Sequence, residues 1–342
     1  MKTKENFIDS VVGHKDQINY LVSAASNKNL SHAYLFVGEE SIGKKKTAVF
    51  FAKSILCKNM PSCNMSCRLC NQIEKKTHPD VIFLEGDSSV KIEEVRKVIS
   101  ATGLKPFSSS HKIVIIDNAE RLTEEASNAL LKTLEEPAAH SVIILISRSV
   151  SSLLPTIISR SQIIKFFKVP EKDMDQLIEK AASGKKNKEI IKALSGGKPG
   201  VAIKAVVEKE NTILVFKKNV DKLLSLFDLG ISESFDVSSF LRSLHEKNPE
   251  ELDTLLQHWT IFLEKTLKKK ILGKEHENIS SEYLTEKDFK DINFKMLNYV
   301  INYLIWSKDI LRNPSSGLNS KLILDLLVLR VRRIKVKKNE QK

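Results

Sequence analysis

The feature that most constrains this 342-residue chain is a five-residue apolar run, Ala33–Val37. It ends in Gly38-Glu39-Glu40-Ser41-Ile42-Gly43-Lys44-Lys45 and passes into a helical pattern from Lys44 to Leu56. A buried strand, a glycine-bearing turn and a helix in direct succession open a parallel sheet with crossover helices. Apolar runs at 81–84, 112–116, 141–146 and 162–166 supply further strands, spaced widely enough for helices between them. The clearest of these helices starts after Thr123, whose hydroxyl suits an N-cap. It carries Ala126, Leu130, Leu131 and Leu134 on one face, and Pro137 ends it. Residues 1–168 are therefore expected to form an α/β domain.

After Val169-Pro170 the pattern becomes helical throughout. Helices are expected at 171–182 and 188–194, followed by a break at Gly196-Gly197-Lys198-Pro199-Gly200 that belongs to neither helix nor strand. From 206 to 342 the sequence reads as a helical bundle anchored by Trp259, Phe262, Leu263, Tyr299, Tyr303, Leu304 and Trp306, with a basic tail at 330–338. Three domains, 1–168, 169–205 and 206–342, fit a chain longer than one core usually organises.

Two classes of protein are not expected. No apolar run approaches the length of a membrane span, and the charged start of the chain leads into no apolar leader region, which points to the cytoplasm. Lys and Arg total 55 against 42 acidic residues, a net charge of +13. That favours a polyanionic partner such as nucleic acid, but the lysines are dispersed and equally suit a generic lysine-rich surface. The four cysteines, Cys57, Cys63, Cys67 and Cys70, fall together with the spacing C-x5-C-x3-C-x2-C. Four soft ligands in one short loop suit a closed, tetrahedral, structural zinc site; unligated thiols or disulfides are the alternatives.

The turn after the first strand has the spacing G-x4-G-K of a phosphate-binding loop. In such a loop the backbone N–H groups cradle phosphates, Lys44 would reach the outer phosphates, and a following Ser or Thr would hold magnesium. Here that following residue is Lys45, which cannot coordinate a cation, while Glu39 and Glu40 oppose an entering phosphate. A second half-site would lie at the end of a hydrophobic strand, where Ile116-Asp117-Asn118 stands. Asp117 could hold magnesium through water. Asn118 is an amide that cannot accept a proton where a catalytic carboxylate would. A degenerate nucleotide site at Gly38, Gly43, Lys44 and Asp117 is therefore expected, without hydrolysis; productive magnesium-ATP binding is the alternative.

Several segments resemble the bacterial clamp-loader branch of the AAA+ family, and its delta-prime members in particular. They are Leu30-Ser31-His32-Ala33-Tyr34-Leu35-Phe36, the cysteine cluster after the first helix, Thr77-His78-Pro79-Asp80, Ile92-Glu93-Glu94-Val95-Arg96 and Ile115-Ile116-Asp117-Asn118-Ala119-Glu120-Arg121-Leu122. Asn128-Ala129-Leu130-Leu131-Lys132-Thr133-Leu134-Glu135-Glu136-Pro137 and Leu154-Pro155-Thr156-Ile157-Ile158-Ser159-Arg160-Ser161 complete the set, in family order across the first half of the chain. The resemblance implies an AAA+ core with a zinc loop, a helical lid and a helical collar. It also implies a place in the DNA polymerase III holoenzyme beside gamma- or tau-type ATPase subunits and delta, loading the sliding clamp on primer-template DNA. Within it, Arg160 would act as an arginine finger on ATP held by a neighbouring subunit. The sequence departs from the family at Ser161, which replaces a cysteine, and in the cysteine spacing; where hydrolysing subunits carry a sensor arginine it has Gly197-Lys198-Pro199-Gly200, which resembles the delta-prime pattern. An active gamma- or tau-type ATPase and a stand-alone zinc-containing DNA-binding protein are the rival readings.

Overall fold

The computed structural model describes residues 11–27, 29–58, 63, 67–85, 90–181, 187–272, 283–284, 291–311 and 318–334. The chain divides into two compact units, one of residues 1–180 and 197–201 and the other of residues 181–196 and 202–342.

The first unit runs α1 Lys15–Ser26, β1 Ala33–Val37, α2 Lys44–Leu56, α3 Arg68–Glu74, β2 Val81–Glu85, α4 Ile92–Thr102, β3 Lys112–Asp117, α5 Glu124–Glu135, β4 Ser141–Ser147, α6 Pro155–Ser159, β5 Gln162–Lys165 and all but the last residue of α7 Glu171–Ala181. The strands form a five-stranded sheet among the described residues, in the order β2-β3-β4-β1-β5. Every pairing is parallel; Leu35 lies opposite both Leu145 and Ile163. Helices cover both faces, so β1 and the interiors of β3 and β4 can be continuously apolar. Alternate residues still face opposite cores. Tyr34 and Phe36 join Leu21, Phe51, Ile73, Ile115 and Ile144 on one face, and Leu35 joins Val95, Val114, Ile116, Leu130 and Leu145 on the other. Each such buried side chain contributes roughly 2 kcal/mol.

The expected strands and their helices are present, β2 and β3 each running one residue further and β4 ending at Ser147. The Thr123 hydroxyl caps α5 by accepting the Ala126 N–H at 3.2 Å. Ala126, Leu130 and Leu134 are buried, while Leu131 is half-buried at the margin. The helix stops two residues short of Pro137, whose ring disfavours helical backbone before it.

The second unit contains α8 Lys188–Ser195, most of α9 Pro199–Val207, α10 Lys209–Ser225, α11 Ile231–Lys247, α12 Pro249–Leu272, α13 Phe294–Leu311 and α14 Ser320–Arg332. The break expected at 196–200 is shorter than that. Gly196 ends α8 in the left-handed region at φ 52°, but Pro199 already opens α9, where its missing N–H is harmless in a first turn. In the core Trp259 donates its indole N–H to the Asn219 carbonyl at 2.7 Å, and Phe262, Leu263 and Leu304 are buried. His258 lies beside them, hydrogen-bonded to Asn219 at 3.0 Å, and burial pushes its pKa down to about 4. Two of the expected anchors are not in the core: Tyr299 and Trp306 are 47% and 42% exposed. Tyr299 and Tyr303 instead receive the Arg330 guanidinium on their faces. Of the basic tail, 335–338 lie outside the described residues.

Candidate nucleotide and arginine sites

Gly38 leaves the carboxyl end of β1, the strand on which the sheet order reverses, where doubly wound sheets place their ligand crevice. The loop turns through left-handed backbone at Ser41 (φ 62°) and Gly43 (φ 106°). At Gly38 a side chain would collide with the Phe166 carbonyl. The strand–turn–helix arrangement of a phosphate loop is thus present.

Lys44 points back into the loop. Its ammonium donates to the Gly38 and Glu39 carbonyls, the latter at 2.6 Å, and burial lowers its pKa against the pull of Glu120, Asp117 and Glu40. Lys45, in the place of the metal-binding hydroxyl, reaches across to the carboxyl ends of β2 and β3. Its Nζ lies 3.0 Å from Glu85 and 3.1 Å from Asp117. Burial works against the charged ammonium there, but the two carboxylates outweigh it and raise the pKa. Asn118 sits in the left-handed region (φ 55°) and donates its backbone N–H to Asp117 at 3.1 Å, so its amide adds no carboxylate to the site.

The loop acids do not stand unopposed, as the sequence alone suggests. Glu39 pairs with Lys198 at 2.7 Å and Lys168 at 3.4 Å, and the hydrogen bond from Lys198 holds its carboxyl below the usual range. Glu40 pairs with Arg148, whose Nε is also 3.3 Å from Glu120. Glu85, Arg148 and Lys168 take part in the site although no motif marked them, and Glu120 does so although its motif gave it no role. Only their place at strand ends, once the sheet order is known, could have drawn notice.

Arg160 follows α6 and precedes β5, at the opposite, amino end of the sheet. It lines an open cleft of about 600 Å3 with Ser31, His32, Glu135, Ser159 and Gln162. Its guanidinium pairs with Glu135 at 2.8 Å and donates to the Thr156 carbonyl at 3.1 Å, leaving the side chain 35% exposed. Gly38, Gly43, Lys44 and Asp117 are brought together; Arg160 is not part of that group.

The four cysteine sulfurs lie within 4.8 Å of one another, and none is in a disulfide among the described residues. Cys57 to Cys67 and Cys63 to Cys70 are each 3.9 Å. Thiolates on a tetrahedron about 2.3 Å from zinc lie about 3.8 Å apart, so the set could hold such an ion. Cys67 caps α3 by accepting the Cys70 N–H at 3.5 Å, and that bond pulls its pKa down to about 7, toward the thiolate a metal needs. Burial pushes Cys70 the other way.

Residues 13–170 match the family described as DNA polymerase III, delta subunit. The chain is 39% identical to DNA polymerase III subunit delta' of Bacillus subtilis over 170 residues, covering 48% of this chain and 50% of that one. It is 30% identical to subunit tau of the same organism over 263 residues, covering 73% of this chain and 46% of the relative. Among solved structures, a gamma subunit-related protein of Thermotoga maritima is similar at 19% identity and a TM-score of 0.47, covering 92% of this chain and 99% of that one. The chain spans about half the length of the curated relatives it matches. Residues 13–170 are thus similar to DNA polymerase III clamp-loader subunits, with delta-prime, gamma and tau relatives equally near.

Proposed function

We propose that this chain is a delta-prime-type, non-hydrolysing subunit of a clamp loader. It assembles with gamma- or tau-type ATPase subunits and delta, loads the sliding clamp on primer-template DNA in the cytoplasm, and lends Arg160 to a neighbour's ATP. Its three parts are the α/β core to 168, a helical lid at 169–205 and a helical collar from 206. The observation that carries the reading is Lys45: an ammonium on Asp117 and Glu85 stands where a hydrolysing site needs magnesium. Arg160, in contrast, keeps an open cleft at the other end of the sheet. The test is a complex reconstituted with gamma- or tau-type and delta subunits. Arg160→Ala is expected to lower its ATPase while assembly stays intact; unchanged turnover overturns the finger.

Zinc on Cys57, Cys63, Cys67 and Cys70 would be structural, tying the end of α2 to α3. Metal analysis of chain prepared with reduced thiols is expected to find one zinc per chain, and a metal-free preparation that melts at the same temperature rejects it. A second reading, an active gamma- or tau-type ATPase, draws on the tau similarity that extends over 73% of this chain. DNA-stimulated hydrolysis by the purified chain alone would establish it.

A further inference from the structure

An empty phosphate loop offers its N–H groups and its lysine outward, to an anion. Here every charged group of the loop is turned on a partner within the same unit. The Lys44 ammonium is held by two loop carbonyls, Glu39 by Lys198 and Lys168, Glu40 by Arg148, and Asp117 by Lys45. One loop carbonyl is engaged as well. Gly200 donates its N–H to the Ser41 carbonyl at 2.8 Å and lies so close that a Cβ there would be 2.9 Å from that oxygen. The segment 197–201 therefore rests directly on the loop, with Lys198 beside it.

The arrangement has the charge pattern of an occupied site. Two carboxylates on the loop face three cations, as phosphates would, and one ammonium bridges two carboxylates at strand ends, as a metal would. We infer that the loop is ligated by its own chain: Glu39 and Glu40 take the place of nucleotide phosphates toward Lys198, Lys168 and Arg148, Lys45 takes the place of the metal, and the pocket stays shut to nucleoside phosphates. This rests on reading residues 38–45 as a phosphate loop, and it sharpens the proposal of a non-hydrolysing subunit. Loss of hydrolysis needs only Lys45 and Asn118. A self-ligated loop also predicts that nucleotide does not enter, and names the side chains that keep it out.

The probe is ADP carrying a fluorescent ribose label, titrated into the full-length chain with and without magnesium. No saturable binding is expected in the unaltered chain. The triple change Glu39→Ala, Glu40→Ala, Lys45→Thr removes both stand-ins and supplies a hydroxyl for the metal; it is expected to bind at least about tenfold more tightly, and only with magnesium, since like-charge repulsion on the phosphates is gone. Glu39→Gln with Glu40→Gln keeps the side-chain shape and is expected to gain binding without a magnesium requirement, which guards against misfolding of the triple variant. Micromolar binding by the unaltered chain, or no gain in a variant whose circular dichroism melt is cooperative, overturns the inference. Amide exchange across 38–45 in the unaltered chain gives an answer needing no variant: slow exchange that ADP leaves unchanged supports a closed loop, and fast exchange slowed by ADP overturns it. An open pocket together with an intact Arg160 effect in the complex would sink this inference alone, whereas hydrolysis by the chain itself would sink the non-hydrolysing reading.

Discussion

The two ends of the parallel sheet use charge in opposite ways. At the carboxyl end, Lys44, Lys45, Glu39, Glu40, Glu85 and Asp117 are turned on one another, on loop carbonyls, or on Lys198, Lys168 and Arg148. At the amino end a buried charge braces the backbone while other groups face outward. Asp80, fully buried, accepts the N–H groups of Phe107, Ser108 and Ser109 at 2.6, 2.8 and 3.0 Å. The loop so held shows Phe107 at 85% exposure, and Arg160 lines its open cleft on the same side of the sheet. A surface built to act on a partner must keep its groups available, whereas a pocket that has lost its ligand must neutralise the charges that ligand balanced. On the proposed function, the contrast would separate a lost activity at one end from a retained one at the other.

The largest expected effect tests the outward end. Arg160→Lys keeps a positive charge but loses the planar fork that can hold two phosphoryl oxygens. In the reconstituted complex it is expected to reduce turnover at the served site by about a thousandfold, the lower range for an arginine finger, with assembly unchanged by sedimentation. Near-normal turnover with lysine would mean that only point charge is needed, and that the cleft does not orient a phosphoryl group.

Asp80→Asn comes next, and it probes the brace. Breaking a buried, hydrogen-bonded charge costs about 3 kcal/mol, which a thermal melt would show as a drop of several degrees. The pH dependence has a definite sign. Burial favours the protonated acid, but the N–H groups of Phe107 and Ser108 outweigh it and hold the Asp80 carboxyl below its ordinary range. That stabilisation is fully present above the unfolded carboxyl's pKa and is lost as pH falls through the folded one. The gap between the unaltered chain and Asp80→Asn is therefore expected to close on acidification; a constant gap would show that shape, not charge, braces the loop.

Lys45→Met tests the inward end. It leaves Asp117 and Glu85 facing each other without the ammonium between them, and Lys76, 2.7 Å from Glu85, compensates only that one. Because Lys45 is partly exposed, the loss is expected to be about 1 kcal/mol, and high salt should shrink it. A salt-independent loss would point to packing of the lysine stem instead.

What could be read along the chain was whatever neighbours in sequence decide. Apolar runs at β1, β3 and β4, the Thr123 cap and the G-x4-G-K turn each carry their physics within a few residues, and the structure forms them there. What could not be read depends on partners brought close by the sheet. Lys45 looks like a defect until β2 and β3 lie side by side and place Glu85 next to Asp117. Glu39 and Glu40 look repulsive until Lys198 and Arg148 arrive from far along the chain. Tyr299 and Trp306 share a helix with buried Leu304, and aromatic character alone did not tell which side of that helix meets the core. The break at 196–200 ends earlier than its run of Gly and Pro suggests, because Pro199 is tolerated in a first helical turn and opens the next helix.

The smallest expected effect decides what the Glu135 contact means. If Arg160 acts on another subunit's phosphates as proposed, Glu135, 2.8 Å away, competes for its guanidinium, and both side chains are open enough to solvent that the pair is worth at most about 1 kcal/mol. A weak pair suits a resting place: strong enough to keep the guanidinium ordered, weak enough to yield to a multiply charged phosphate. Glu135→Gln removes the competing charge and keeps the shape, so the stability of the chain should change by less than about 0.5 kcal/mol. Turnover of the complex at limiting ATP should rise by no more than about twofold, through tighter engagement of the site and not through a faster chemical step. A tenfold fall in the rate at saturating ATP would reverse the assignment, because it would show that Glu135 aims the arginine during reaction and does not merely hold it between reactions.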